Sequence, residues 1–401
     1  MGQQVIPVEE LIKSKKKPGF KYTPEEAPTE DYRDILFQLE KEGELEVIRV
    51  PEPYVEVTTK YGRKKKIPLE HTWHHKSCGQ CGHIPGYSTS IFWLNRQFGF
   101  DYVDPSDQTS CTAWNYYASA TSNAEAQAAV AVRNFAAAAE TGRFPLIHCG
   151  TSFGHYKEVR HELLHHHDLR RKVREIMERL GKKLVFPEEI VHYSEWVYAI
   201  RDKIAERQVI DMKHIVASVH PACHYHKLVE EDAIYDPEIY GAQRTAVVTG
   251  TLKALGIQIG EYSSWYDCCG FGFRHILVSR DFSRSFAVQR KIEVMKEEAN
   301  PDVVVTHDTG CVTTLDQSQF AGKAHGKKVG IPVMSDSQIA ALAMGAHPYK
   351  VLQLHWHNTE NRPFLEKLGI DPDEKWREFE EALEKLKRGE KQYLTWEDAD
   401  A

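Results

Sequence analysis

The positions of eight cysteines constrain this 401-residue chain more than any other feature of its sequence. They are Cys78, Cys81, Cys111, Cys149, Cys223, Cys268, Cys269 and Cys311. The N-terminus shows no basic region followed by an apolar one, so no secretory signal is predicted. Because cytosolic thiols are kept reduced, a cytoplasmic chain of this kind uses cysteines for metal ligation or redox chemistry rather than disulfides.

Composition narrows the class of protein. Apolar residues make up 41% and charged residues 27% of the chain, which is typical of a folded protein. The net charge of −7 argues against nucleic acid as a partner, because neutralising phosphates needs a basic excess. No stretch approaches the roughly 18–20 apolar residues that cross a bilayer, so we expect no transmembrane segment.

A pattern of helix, strand and polar loop occurs twice between residues 78 and 345. The predicted helices are Ile91–Gln97, 123–142, His155–Leu180, Glu195–Glu206, Arg244–Leu255, Ser283–Ala299, Gln338–Met344 and Pro372–Arg388. The predicted strands are Phe144–His148, Lys183–Phe186, His214–Val219, Asp302–Thr306 and Lys328–Val333. Residues 148–152 align with residues 307–311, so Cys149 and Asp308 occupy equivalent positions in the two copies of the pattern. Cysteines therefore follow strand ends, where ligands of α/β sheets are usually bound.

This alternation predicts an α/β fold with two tandem pseudo-symmetric halves, each a parallel sheet with flanking helices. The predicted units are an N-terminal extension (1–70), a degenerate first half (71–185), a second half (186–345) and a C-terminal helical extension (346–401).

Thiolates are soft ligands that suit iron–sulfur clusters or zinc. Cys78 and Cys81 form one Cys-x-x-Cys pair, but no second pair follows at the spacing of a structural zinc site. Adjacent cysteines 268 and 269, set apart from the others by long α/β segments, fit a cluster bound from several loops. The following Gly270 allows the backbone to bend closely around such a group.

The second-half pattern consists of Cys223, Cys268-Cys269-Gly270 and Asp308-x-x-Cys311. It resembles the CCG cysteine-rich domain, whose full pattern is Cys, a long spacer, Cys-Cys-Gly, another long spacer and Cys-x-x-Cys. Two tandem copies are typical of the heterodisulfide reductase B subunit and its relatives, and the resemblance covers about residues 75–345. It implies an oxidoreductase component acting on sulfur groups, with two iron–sulfur clusters, [4Fe–4S] or noncubane, ligated by all eight cysteines.

The first half departs further from the family pattern. Ser110-Cys111 stands where the family has Cys-Cys, and Ser152 replaces the last cysteine. Either Cys78 or Cys81 could be the leading ligand.

In the second half, Asp308 replaces one cysteine, so each half offers four thiols rather than five. Ser110 and Asp308 become candidate oxygen ligands. The retained pair Cys268 and Cys269 makes the second half the predicted place of catalysis.

These substitutions resemble the B-type subunits of the sulfur-oxidising heterodisulfide reductase-like complex. The resemblance implies oxidation of protein-bound sulfur and three partners: a flavin-bearing A subunit, a ferredoxin-like C subunit and a lipoate-carrying or sulfur-carrier protein. Two alternatives stay open. One is a non-catalytic electron-relay CCG subunit of a flavin-dependent dehydrogenase; the other is a zinc-stabilised scaffold or zinc hydrolase.

Two histidine features bear on these alternatives. His148 and His307 occupy equivalent strand-end positions and are candidates for hydrogen bonds to cluster sulfur. His161 and His165 match the His-Glu-x-x-His signature of zinc hydrolases, in which both histidines share one helix face. We expect that helix to face solvent or a partner instead.

Overall fold

The computed structural model describes residues 31–60, 62–77, 83–113, 123–228, 232–234, 246–272, 278–324 and 330–400. Its strands are β1 (Glu46–Ile48), β2 (Tyr54–Thr58), β3 (Lys64–Pro68), β4 (Thr72–His75), β5 (Tyr102–Val103), β6 (Phe144–Ile147), β7 (Val185–Pro187), β8 (Val191–His192), β9 (Val216–His220), β10 (Gln258–Ile259), β11 (Val303–Thr306) and β12 (Val333–Ser335). Its helices are α1 (Tyr32–Lys41), α2 (Tyr87–Phe98), α3 (Ala124–Glu140), α4 (Gly150–His165), α5 (His167–Arg179), α6 (Tyr193–Ala199), α7 (Arg201–Glu206), α8 (Cys223–His226), α9 (Val247–Ala254), α10 (Arg280–Phe286), α11 (Glu293–Glu298), α12 (Thr309–Ala324), α13 (Asp336–Ala343), α14 (Arg362–Lys367), α15 (Pro372–Lys387) and α16 (Trp396–Asp400).

Two four-stranded parallel sheets form the centre of the molecule. Their strand orders are β5-β4-β6-β8 and β10-β9-β11-β12. The two sheets therefore share one topology: the chain forms the second strand of the sheet first, then the first, the third and the fourth. The register also agrees, since the last residue of β4, His75, pairs with Ile147 and the last residue of β9, His220, pairs with Thr306. The predicted α/β class with parallel sheets is confirmed.

Helices cover the sheets because their central strands are apolar on both faces. All four residues of β6 and of β11 are buried. Capping side chains fix where several helices begin. Asn123 accepts a hydrogen bond from the Ala126 amide at the start of α3.

The fourth strand of each sheet leads directly into a helix with a capping box. His192 and Glu195 form the box that starts α6, and Ser335 and Gln338 form the box that starts α13. In a capping box, reciprocal side-chain and backbone hydrogen bonds satisfy amides that would otherwise lack partners. The same kind of cap therefore fixes where the helix begins after the last strand of each sheet.

Several predicted helices are interrupted. The helix predicted over 155–180 is α4 and α5, separated at His166, whose backbone is extended (φ −110°, ψ 92°). The helix predicted over 195–206 is α6 and α7, which meet at Ile200. The helix predicted over 283–299 contains a π-helical turn, Ala287–Ile292. None of these interruptions carries a proline or glycine that sequence reasoning could use.

One strand prediction was displaced. The last strand lies at 333–335 rather than at 328–333, and residues 325–329 are outside the described residues.

The described part of the N-terminal segment packs against the rest of the chain. Strand β1 pairs in parallel with β7, and β2 and β3 form an antiparallel hairpin. The fully buried Lys65 of β3 forms an ion pair with Glu195 Oε2 of α6 at 2.9 Å and donates to the Asp232 carbonyl at 3.2 Å. These contacts satisfy the buried ammonium group, which would otherwise be costly to bury.

In the C-terminal segment, helix α14 contacts the second half near the start of β9. Asp371 caps α15, which buries Phe379 and Ala382, while Trp376 is 37% exposed. His214 of the second half approaches the Lys367 carbonyl of α14 at 2.7 Å. No helix among the described residues is long and apolar enough to cross a membrane.

Candidate metal centre

Three loops of the second sheet bring four cysteines together. Strand β9 leads to Cys223, the first residue of α8, and β11 leads to Cys311 in the first turn of α12. Cys268 and Cys269 lie in the loop after β10. These three strands are parallel neighbours, so their carboxyl ends meet at one edge of the sheet.

A chain of side-chain hydrogen bonds links these four thiols, which we call the second-half thiol group. Cys223 bonds to Cys268, Cys268 to Cys269, and Cys269 to Cys311. Cys269 and Cys311 are almost fully buried, whereas Cys223 and Cys268 are half-buried. One side of the group is therefore closed by protein and the other is accessible.

Electrostatics within the group favour one thiolate. Hydrogen bonds from Cys223 and Cys269 lower the pKa of Cys268 well below its ordinary value. The same hydrogen bonds raise the pKa of Cys223 and Cys269. At Cys311 burial and the charge of Asp308 outweigh the hydrogen bond with Cys269, and its pKa is raised to about 12. Metal binding would displace the remaining protons.

The Cys-Cys-Gly loop is shaped by its glycine. Gly270 has φ +93°, and a Cβ atom there would lie 2.5 Å from the Ser283 carbonyl oxygen. The Ser283 hydroxyl donates to the Gly270 carbonyl at 2.5 Å. The Gly270 and Phe271 amides point at the Cys268 and Cys269 sulfurs, each at 3.4 Å. The loop therefore supplies amide donors to sulfur, which iron–sulfur sites use to tune their potential.

A buried lysine lies behind this loop. Lys291 on the π-helical turn is fully buried and donates to the Ser264 and Trp265 carbonyls. Burial lowers the pKa of Lys291 to about 7, while Asp267 and the thiolates of Cys269 and Cys268 oppose that shift. Sequence analysis missed Lys291, since only the fold places residue 291 beside residues 264–270.

His220 also belongs to this centre, and sequence analysis did not select it. Its ring nitrogen and the sulfurs of Cys269 and Cys311 all lie within 4.8 Å of one another, and all three residues are buried. Neither ring nitrogen has a hydrogen-bond partner, and burial lowers the pKa of His220 well below its ordinary value. The usable signal was its place at the end of β9, three residues before Cys223.

Both carboxylate oxygens of Asp308 accept hydrogen bonds. Oδ1 accepts a hydrogen bond from the Cys311 amide at 3.0 Å. Oδ2 accepts from the Thr151 amide at 2.8 Å and from the Thr151 hydroxyl at 3.0 Å, and it lies 3.3 Å from Cys149 Sγ. Asp308 thus joins the second-half thiol group to the first half.

The first-half candidates are described only in part. Cys78 and Cys81 lie outside the described residues. Cys111 and Cys149 are buried, and Cys149 Sγ accepts a hydrogen bond from the Thr309 hydroxyl at 3.3 Å. The Ser110 hydroxyl accepts from the Thr112 amide at 3.2 Å.

The two selected strand-end histidines are buried, and in each ring Nε2 has a contact while Nδ1 lacks a hydrogen-bond partner. His307 Nε2 accepts from the Ala222 amide at 3.0 Å, and His148 Nε2 lies 3.5 Å from the Ser88 hydroxyl. Burial lowers the pKa of His307 to about 4, so its ring is neutral near pH 7. His307 therefore positions the loop that leads to Cys223.

The His-Glu-x-x-His segment lies on an exposed part of α4. His165 Nδ1 contacts the His161 carbonyl of its own helix at 2.8 Å, and Glu162 forms an ion pair with His166 at 3.2 Å. Within the described ranges, no cysteine, histidine or carboxylate joins His161 and His165 in a three-ligand group. His161, Glu162 and His165 are exposed, as expected from the sequence.

Comparison with known proteins identifies the family. The cysteine-rich domain family (CCG) matches residues 217–316. A protein of Archaeoglobus profundus that is described as like the heterodisulfide reductase B subunit is 30% identical over 271 residues, 67% of this chain and 88% of that protein. The B subunit of the ferredoxin:CoB-CoM heterodisulfide reductase of Methanosarcina acetivorans is 29% identical over 322 residues, 76% of this chain and 98% of that protein.

One solved structure shares the fold. The crystal structure of a hypothetical protein from Helicobacter pylori superposes with a TM-score of 0.57 at 11% identity, covering 84% of this chain and 58% of that one. That likeness concerns the fold alone. The two relatives and the cysteine-rich domain match lead to one conclusion: the chain belongs to the heterodisulfide reductase B-subunit family of iron–sulfur oxidoreductase components.

Proposed function

We propose that this chain holds an iron–sulfur centre on its second-half thiol group and uses it to transfer electrons between a sulfur substrate and a partner subunit. The observation that carries the proposal is the convergence of four thiols from three loops at one sheet edge. Such a soft donor set fits an iron–sulfur cluster, which four thiolates can ligate. Zinc would also accept thiolates but has no redox chemistry.

The surrounding residues support a bulky inorganic group. Gly270 leaves no room for a side chain where its backbone passes Ser283, so the two adjacent thiols are held close to a second chain segment. The amides of Gly270 and Phe271 point at the thiol sulfurs, and the charged form of Lys291 interacts favourably with the thiolates of Cys268 and Cys269, so all three groups favour negative charge at sulfur.

Substrate access is proposed on the side of Cys223 and Cys268, the two half-buried members. Cys269 and Cys311 are buried and would anchor the group from behind. We propose Cys268 and Cys269 as the residues closest to the chemistry. Cys268 is the thiol with the strongest tendency to ionise, which suits it to ligation at the accessible side.

The overall reaction balances two electrons and two protons. Two thiols that form one S–S bond lose two electrons and two protons, and reduction of the disulfide reverses both. An iron–sulfur cluster, when bound, supplies one-electron steps, so a partner acceptor can take the two electrons singly. The chain's own contribution is to hold the site, limit water at its buried side and stabilise charge there.

A second centre is proposed in the first half, with Cys111, Cys149 and one or both of the leading pair as ligands. The strand register favours Cys78 as the leading ligand. His75 and His220 are the last residues of equivalent strands, and the next cysteine follows three residues later in both cases, as Cys78 and Cys223.

Oxidation of protein-bound sulfur is the proposed direction. The support is the pattern of oxygen-bearing residues at Ser110, Ser152 and Asp308, which resembles the B-type subunits of the sulfur-oxidising complex. The proposed partners are a flavin-bearing A subunit, a ferredoxin-like C subunit and a lipoate-carrying protein, all cytoplasmic. The Methanosarcina acetivorans relative is named for a different substrate, the CoB-CoM heterodisulfide.

Anaerobic purification followed by iron and sulfide analysis tests the proposal. Bound iron and sulfide, with an EPR signal that changes on adding a dithiol substrate, is the expected result, and Cys269→Ser should lose that signal. The double variant His161→Ala/His165→Ala is the matched control and should keep both metal and signal. Bound cluster with a thiol-insensitive signal would indicate an electron relay, and zinc without visible absorption would reject the proposal.

A further inference from the structure

We propose that His220 is a nitrogen ligand of the second-half centre. This inference rests on the proposed function, because it requires an iron–sulfur group on the second-half thiol group. It assigns the fifth donor of the site to a histidine rather than to a carboxylate.

Position is the first argument. His220 is the last residue of β9, and its ring nitrogen lies within 4.8 Å of the sulfurs of both Cys269 and Cys311. Within the described part of the chain, these three residues form the group of ligand atoms close enough to hold a metal. The imidazole therefore lies beside the two buried members of the thiol group, Cys269 and Cys311.

The second argument is that the imidazole has nothing else to bind. His220 is fully buried, and both of its ring nitrogens lack a hydrogen-bond partner. A buried polar group without a partner is costly and points to an ion or ligand at that place. The equivalent residue of the first sheet differs, since His75 Nε2 lies 2.6 Å from the Tyr156 hydroxyl. A ring in which both nitrogens lack a partner is therefore not a general feature of this strand-end position.

The third argument concerns the competing ligand. Asp308 was the candidate oxygen donor, but its two oxygens accept hydrogen bonds from the Cys311 amide, the Thr151 amide and the Thr151 hydroxyl. Turning Asp308 toward the thiols would break contacts that connect the two halves. His220 needs no such rearrangement.

The assignment has an electrochemical consequence. A neutral imidazole leaves the centre one negative charge less than a thiolate would, and histidine ligation raises the potential of iron–sulfur centres. The midpoint potential of the second-half centre should therefore fall when His220 is replaced by cysteine.

Pulsed EPR on the anaerobically purified full chain tests the assignment without any substitution. In protein grown with ¹⁵N-histidine, the strongly coupled ¹⁴N signal of the reduced centre should be replaced by a ¹⁵N signal. If the cluster is present but no histidine nitrogen is strongly coupled to it, the assignment is overturned, while the proposed function stays intact. Absence of iron would instead reject the proposed function.

Variants give the second test. His220→Cys should keep iron and sulfide, lose the histidine nitrogen coupling and lower the midpoint potential. The matched control is His226→Gln, since His226 is a buried histidine at the end of α8 whose ring nitrogens also lack hydrogen-bond partners, and its ring packs against that of Tyr266 with the centroids 5.2 Å apart. This control should keep the nitrogen coupling. A coupling that survives in His220→Cys and disappears in His226→Gln would overturn the assignment.

Discussion

The Tyr193 hydroxyl donates a hydrogen bond to Asp336 Oδ1 at 2.5 Å, and these two residues occupy the same position in the two halves. Each is the first residue of the helix that follows the fourth strand of its sheet. Cys149 and Asp308, each the second residue after the third strand, also meet, with Sγ and Oδ2 3.3 Å apart. The strand ends of both sheets therefore face one another.

The Asp336 carboxyl predicts a pH-dependent stability. Burial raises its pKa to about 6 from 3.8, so between these values the folded state binds more protons than the unfolded state. Its stabilising contribution is complete below about pH 4 and is lost as the pH rises through about 6, a change of roughly 3 kcal/mol. Asp336→Asn should remove this fall in denaturant unfolding curves measured at several pH values.

The control for that experiment is Asp202→Asn, which changes an exposed aspartate at the start of α7. It should follow the wild-type profile. A parallel profile for Asp336→Asn and the wild type would show that Asp336 does not titrate in this range.

Gly270→Ala should weaken both the fold and the metal site. The substitution forces a side chain into a left-handed backbone and toward the Ser283 carbonyl, so we expect a loss of about 1–3 kcal/mol from strain and a lower iron content. Gly99→Ala is the matched control, because Gly99 has φ +69° but no atom near its Cβ position. Thermal unfolding and iron analysis of both variants separate the steric clash from the backbone strain. Equal iron content in the two would contradict the role given to Gly270.

Lys65→Met should destabilise the attachment of the N-terminal hairpin. The substitution leaves Glu195 as a buried carboxylate without its cation, which typically costs about 3–5 kcal/mol. Lys64→Met, at the exposed neighbouring position, should change stability by less than about 0.5 kcal/mol. Chemical denaturation measures both. A small effect of Lys65→Met would mean that the hairpin contributes little to the folded core.

Much of the fold was predictable because apolar strands followed by polar loops leave a clear pattern in the sequence. The positions of Cys149 and Asp308 at equivalent strand ends came directly from that repeat. The second-half thiol group was also predictable, since parallel strands bring their carboxyl ends to one edge.

Other parts of the site depend on contacts that have no local signal. Lys291 reaches the Cys-Cys-Gly loop only because the helix containing it packs there. His220 could not be distinguished from other histidines near cysteines without knowing which ring lies close to two cysteine sulfurs. The partner of Asp308 in the first half likewise could be found only once the strand ends of the two sheets were placed next to each other.

Mössbauer spectroscopy of ⁵⁷Fe-enriched protein, purified anaerobically, tests the central claim most directly. The account predicts iron in thiolate-ligated clusters in the wild type, and selective loss of the second-half component in Cys269→Ser. Identical spectra for the two proteins, or a wild type that contains no iron, would contradict it.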